Sequence, residues 1–211
     1  MKAIVNTAPN KLEFLDLPTP TPGPGEVRIK TSACGICATD LEMVAGWDRT
    51  SFPAVPGHEW SGVVDAVGDG VDESLIGKKC VAENVLADGG EVGFEHFGGY
   101  GEYLINEARN VHILPDSFPM HVAALIEPLA VSVRGQHRLG SHVDEPALVI
   151  GDGPIGLITC ALFTRSGIEV TLLGGRPERL EVASKMGAAR TINYHSFTGD
   201  MADEVVAITG H

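Results

Sequence analysis

Cysteine is scarce in this 211-residue chain: Cys34, Cys37, Cys80 and Cys160 are too few and too scattered for a disulfide framework. Positive charge is scarce too. Fifteen Lys and Arg stand against 28 Asp and Glu, a net charge of −13, which argues against a nucleic-acid groove or an acidic membrane surface as partner. No apolar run approaches the ~18 residues of a membrane span. Met1-Lys2-Ala3-Ile4-Val5 reads as a strand followed by polar, Pro-rich sequence, not as a signal-peptide core. A cytoplasmic location is therefore expected. What the chain does have, 44% hydrophobic and 20% charged residues, is the make-up of a globular protein with ample core.

Two textures follow one another along the chain. Up to about residue 140, short strand candidates such as Glu26–Lys30 and Trp60–Val64 alternate with Gly/Pro punctuation, which suggests a small barrel or sandwich. Residues 120–140 read as helical and enclose the apolar stretch His121–Ala130. From Pro146 the pattern becomes strand (147–150), helix (155–165), strand (169–173), helix (177–186), strand (189–193) and the start of a third helix (200–208). This is one βαβαβ half of a doubly wound parallel sheet. The reading is an α/β chain with a β-rich first part and a domain division at 143/144. A dinucleotide fold needs a second such half, so the chain is expected to be a piece of a longer one.

Two short segments carry the chemistry. Gly35-Ile36-Cys37-Ala38-Thr39-Asp40 and Gly57-His58-Glu59 offer a thiolate, an imidazole and carboxylates, the donor set of a catalytic zinc that keeps one position open. Cys34 could form a Cys-x-x-Cys pair with Cys37 or add a second ligand. Glu127, alone in the apolar run Ile126–Ala130, should be paired or metal-bound rather than free. Downstream, Gly151-Asp152-Gly153-Pro154-Ile155-Gly156 follows the strand-like Ala147–Ile150 and opens a helix. That placement turns a weak glycine motif into a credible phosphate-binding loop.

A zinc pocket first and a dinucleotide loop second resembles the zinc-dependent medium-chain dehydrogenase family, which includes alcohol, polyol, threonine and glucose dehydrogenases. The resemblance implies a GroES-like barrel carrying the zinc, followed by a Rossmann domain. It matches Cys37 to the family's G-x-C-x-[ST]-D element, His58 and Glu59 to G-H-E, and Glu127 to the E-P-L-A of the polyol and threonine branches. It implies a metal set of Cys37 and His58 with Glu59 or Glu127, a structural role for Cys34, and Asp40 behind the ligands. Thr39 takes the place of the hydroxyl that passes the substrate proton outward. Glu42 stands where relatives often carry a relay histidine; it could shuttle a proton, bind a sugar hydroxyl or be a solvated helix residue. Many relatives have a four-cysteine lobe for a structural zinc. Residues 80–103 hold only Cys80, so no structural zinc is expected.

Gly151, Gly153, Pro154, Ile155 and Gly156 form the expected cofactor loop. NAD enzymes usually end the second strand in an acid that holds the ribose diol. Here Gly174 takes that place, followed by Gly175, Arg176 and Arg179, a G-[SG]-R-P run that resembles NADP-dependent members. The guanidinium can fork onto a 2′-phosphate, so NADP is expected over NAD. The leading expectation is a zinc-dependent oxidoreductase moving a hydride between a secondary alcohol, polyol or sugar and NADP, homo-oligomeric at full length. The alternatives are a zinc-free quinone or enone reductase of the same superfamily and a non-catalytic nucleotide-binding homologue. Trp47, Trp60 and the segment Glu95-His96-Phe97 are candidate pocket walls.

Overall fold

A computed structural model describes residues 1–139 and 145–210. The chain packs as two compact units, Met1–Glu127 and Pro128–His211. The division expected at 143/144 falls on residues outside the described ones, and the division in packing comes earlier, after Glu127.

The first unit begins with an antiparallel hairpin of β1 (Lys2–Ala8) and β2 (Lys11–Asp16). Then come β3 (Glu26–Cys34), α1 (Ala38–Ala45), β4 (Trp60–Val67), β5 (Lys79–Ala82), β6 (Tyr103–Glu107) and β7 (Val111–Ile113). The strands after the hairpin make one five-stranded antiparallel sheet, ordered β6-β3-β4-β5-β7. Alternation along β3 sends Val27 and Ile29 inward, where they meet Trp60, Val64, Cys80, Val92 and Leu104. β1 is stitched to the rest by isolated bridges from Ala3 to Gly101 and from Asn6 to Ala54. These features give the β-rich body expected from the Gly/Pro-punctuated strands.

The helix expected over 120–140 is broken into α2 (Met120–Ala123) and α3 (Ile126–Leu139). The cause is Pro128, which has no N–H to give the carbonyl four residues back and is tolerated only in a helix's first turn. The chain therefore closes α2 with Leu125 donating to the Val122 carbonyl and starts again at Ile126.

The second unit continues with β8 (Ala147–Ile150), α4 (Pro154–Arg165), β9 (Val170–Gly174), α5 (Pro177–Lys185), β10 (Arg190–Asn193) and α6 (Met201–Thr209). The three strands form a parallel sheet in the order β10-β9-β8. β9, in the middle, is buried at every residue, as a parallel strand covered on both faces must be. Its Val170 and Leu172 share a core with Val149, Cys160, Phe163, Leu180 and Ala183. Among the described residues no helix is long and apolar enough to cross a membrane.

Candidate metal centre and nucleotide loop

The loop leaving β3 delivers Cys37 to the start of α1, and the loop entering β4 delivers His58 and Glu59. Ligand atoms of Cys37, His58 and Glu59 all lie within 4.8 Å of one another, the one such grouping of three metal-type side chains among the described residues. Soft sulfur, imidazole nitrogen and carboxylate oxygen within that span suit zinc with a position to spare.

Asp40, 2% exposed, holds the two segments together. Its Oδ2 accepts from the Cys37 amide at 2.8 Å and from the Tyr100 hydroxyl at 2.9 Å, and its Oδ1 accepts from the Gly57 amide at 3.2 Å. The same Oδ1 lies 3.4 Å from the buried Nδ1 of His58, which makes no well-aligned hydrogen bond of its own. Gly57 sits at φ +98°, and a Cβ there would meet the Tyr100 ring at 2.7 Å and the Cys34 sulfur at 2.9 Å. Only glycine fits that turn. Gly35 leaves room in the same way for the Glu59 carboxylate, which folds back over it.

The electrostatics follow from that packing. Burial disfavours a charged His58 ring, but the Asp40 carboxylate and then Cys37 outweigh it and push its pKa up to about 9. Burial alone would raise Asp40, yet His58, the Cys37 amide and Tyr100 hold it below the usual carboxylate range. Glu59 is raised, chiefly by burial. Burial, then Asp40 and Glu59, push the Cys34 thiol up to about 12, which leaves it a neutral packing group beside Gly57 and Gly99.

The remaining expected site residues are placed as follows. Thr39 Oγ1 is 3.5 Å from Cys37 Sγ and half-buried. Glu42 is exposed on α1, with its backbone carbonyl closing the helix end. Glu127 stands outside the three-residue grouping; burial raises its carboxyl, and the charge of His58 acts on it in the opposite direction. Trp60 is a core residue whose Nε1 donates to Asn84 Oδ1 at 2.9 Å. Trp47 meets Phe94 edge-on at 6.4 Å, and Phe94 lies against the His58 ring at 4.8 Å. Arg49 covers Phe94 at 4.6 Å while gripping Glu95 with two nitrogens and Glu91 with one. His96 pairs with Asp88. Phe94, Arg49 and Tyr100 were not singled out in the sequence; they lie far along the chain from their partners and sit in no recognisable motif.

In the second unit the glycine loop joins β8 to α4. Gly153 caps α4 and Pro154 is its first residue. The space of a Cβ at Gly156 is filled by the Gly151 carbonyl, so loop and helix start are in contact. Pro154 and Ile155 are exposed at that helix start, whose free amides and dipole suit a phosphate. β9 ends in buried Gly174, buried Gly175 follows it, and exposed Arg176 caps α5. Arg179 turns back and donates to the Asp152 carbonyl at 3.3 Å.

Residues 23–116 match the alcohol dehydrogenase GroES-like domain. The chain is 36% identical over 224 residues to (R,R)-butanediol dehydrogenase of Neisseria gonorrhoeae (strain ATCC 700825 / FA 1090), covering 92% of the chain and 63% of the relative. Among solved structures, the rspB alcohol dehydrogenase of Escherichia coli CFT073 complexed with NADH superposes with a TM-score of 0.91 at 30% identity, over 100% of this chain and 66% of that one. A Sinorhizobium meliloti 1021 protein bound to NADP does so with 0.90 at 25% identity, over 99% of this chain and 65% of that one. The chain spans less than two thirds of the length of the curated relatives it matches.

Proposed function

Since the chain belongs to the medium-chain alcohol dehydrogenase family, we propose that it serves a zinc-dependent oxidoreductase that moves a hydride between a secondary alcohol, polyol or sugar-type substrate and NADP. We assign the catalytic role to residues 1–143 and the first half of the cofactor domain to 144–211, in a cytoplasmic, homo-oligomeric protein. The observation that carries this reading is the convergence of Cys37, His58 and Glu59 within 4.8 Å.

Cys37 and His58 hold the metal with Glu59 or Glu127, and the grouping of Glu59 with the other two within 4.8 Å favours Glu59. Zinc would supply Lewis acidity to a substrate oxygen, and the nicotinamide would take or give the hydride. The chain's own residues do the rest. Asp40 faces Nδ1 of His58, which fixes the ring's orientation and leaves Nε2 for ligation. Thr39, beside the Cys37 sulfur and half-buried, passes the substrate's proton toward solvent. The Phe94 and Trp47 rings wall the His58 side against water. Glu42, exposed one turn on, can receive that proton from solvent-facing groups or hold a hydroxyl of a longer polyol.

On the cofactor side, the start of α4 takes the pyrophosphate, and Gly151, Gly153, Pro154, Ile155 and Gly156 shape that approach. The end of β9 lacks an acid at Gly174, and Arg176 supplies a cation. That pair favours NADP over NAD. Arg179, tied to the loop carbonyl, keeps β9's end and the loop in register.

Metal analysis tests the reading. The purified protein should hold about one zinc per chain, and the Cys37→Ala variant should lose it. Two tightly bound zincs, or zinc retained by Cys37→Ala, would overturn the assignment.

A further inference from the structure

The acid missing from the end of β9 has a counterpart one strand away. Asp152, the second residue of the glycine loop, reaches across to the following turn. Its Oδ2 accepts from the Arg176 amide at 2.7 Å and from the Gly175 amide at 3.0 Å. A Cβ at Gly174 would meet the Asp152 Cβ at 2.6 Å and its carboxylate at 2.9 Å. The side chain that Gly174 lacks and the carboxylate of Asp152 therefore claim the same space. Glycine at 174 makes room for an acid at 152 as much as for a phosphate.

From this we infer that Asp152 is a specificity-determining residue: its carboxylate sits beside Gly174, where the ribose 2′-substituent is read, and opposes the 2′-phosphate that Arg176 attracts. The inference rests on the reading of this loop as a nicotinamide dinucleotide site. Burial would raise Asp152, but the amides of Arg176 and Gly175, with the charges of Arg176 and Arg179, hold its carboxyl below the usual range. It is an anion at neutral pH. Two like charges a few ångströms apart near a surface repel by enough to change affinity about tenfold, and salt weakens the effect. Preference for NADP is thus set by a balance, with Arg176 on one side and Asp152 on the other.

A single oxygen accepts both amides, so Asp152→Asn can keep the turn fastened while removing the charge. The test measures binding of adenosine 2′,5′-diphosphate and of 5′-AMP, two probes of the adenosine side that differ only in the 2′-phosphate, by calorimetry on the purified protein. Asp152→Asn should tighten the diphosphate about tenfold, with the gain shrinking at high salt, and should leave 5′-AMP unchanged or weaker. Asp152→Glu, which keeps the charge, should not show the gain. An equal change for both probes, or a loss confined to the diphosphate, would overturn the role of Asp152. Failure of both probes to bind the unaltered protein would instead overturn the dinucleotide reading on which it rests. A circular dichroism melt of each variant separates loss of the loop from loss of the fold.

Discussion

The two candidate sites are each organised by one aspartate that fastens two segments distant in sequence, but the two aspartates sit in different surroundings. Asp40 is 2% exposed, accepts from two backbone amides and a tyrosine, and faces a histidine. Asp152 lies near the surface, accepts from two amides, and faces two arginines. In the first unit the carboxylate is committed to fastening the Cys37 and Gly57 backbone beside His58, and its removal strands buried donors and a charge. In the second the carboxylate is a replaceable occupant of a turn that an outside anion could also use. Burial makes one aspartate a matter of stability and the other a matter of selectivity.

The largest expected effect breaks the first half of this comparison. Asp40→Ala leaves the Cys37 and Gly57 amides, the Tyr100 hydroxyl and the His58 ring without their shared partner. Denaturant unfolding of the metal-free protein should show a loss of about 3 kcal/mol. Zinc affinity should fall about 10- to 100-fold, as when a group behind a ligand is removed. A variant as stable as the unaltered protein would deny Asp40 its fastening role.

Next in size is the loss of the cofactor cation. An Arg–phosphate contact is worth roughly 1.5–3 kcal/mol, so Arg176→Ala should weaken NADP about ten- to a hundredfold and barely change NAD. Equal weakening of both, or an unaltered protein that already prefers NAD, would contradict the proposed cofactor.

The smallest effect is a pH dependence confined to the first unit. The metal-free His58 pKa of about 9 lies above the unfolded value near 6.5. The protonated ring therefore stabilises the metal-free fold fully below about pH 6.5, and this stabilisation is lost as pH rises through about 9. Urea midpoints of chelator-treated protein should fall across that window, and a His58→Gln variant should lack this fall. Zinc competes with the same proton, so its apparent affinity should climb with pH up to about 9.

Much of this molecule could be read from its sequence, and the limits have physical causes. β8, α4, β9, α5, β10 and α6 lie within a residue or two of their expected positions, because local periodicity and Gly/Pro breaks govern βαβ units. The helical character expected over 120–140 is present, but as two helices with a break at residues 124–125, because Pro128 fits only in the first turn of α3. Cys37, His58 and Glu59 were legible because their motifs are local, and the structure brings them together. Glu127, legible by the same kind of motif, stands outside that grouping. Tyr100 and Phe94 were not legible: their contacts with Asp40 and His58 are made by the tertiary fold alone. Asp152 carried no role in the sequence, since its bonds to Gly175 and Arg176 depend on how two parallel strands lie side by side.

The central claim, a single zinc centre built on Cys37 and not on its neighbour Cys34, is tested most directly by cobalt substitution. A cobalt(II) ion bound by a thiolate shows a sulfur-to-metal charge-transfer band in the near ultraviolet. Titration of the metal-free protein is predicted to build that band to saturation at about one cobalt per chain. The band should survive Cys34→Ala and vanish in Cys37→Ala. A band that persists without Cys37, or one that disappears with Cys34 alone, would contradict the account.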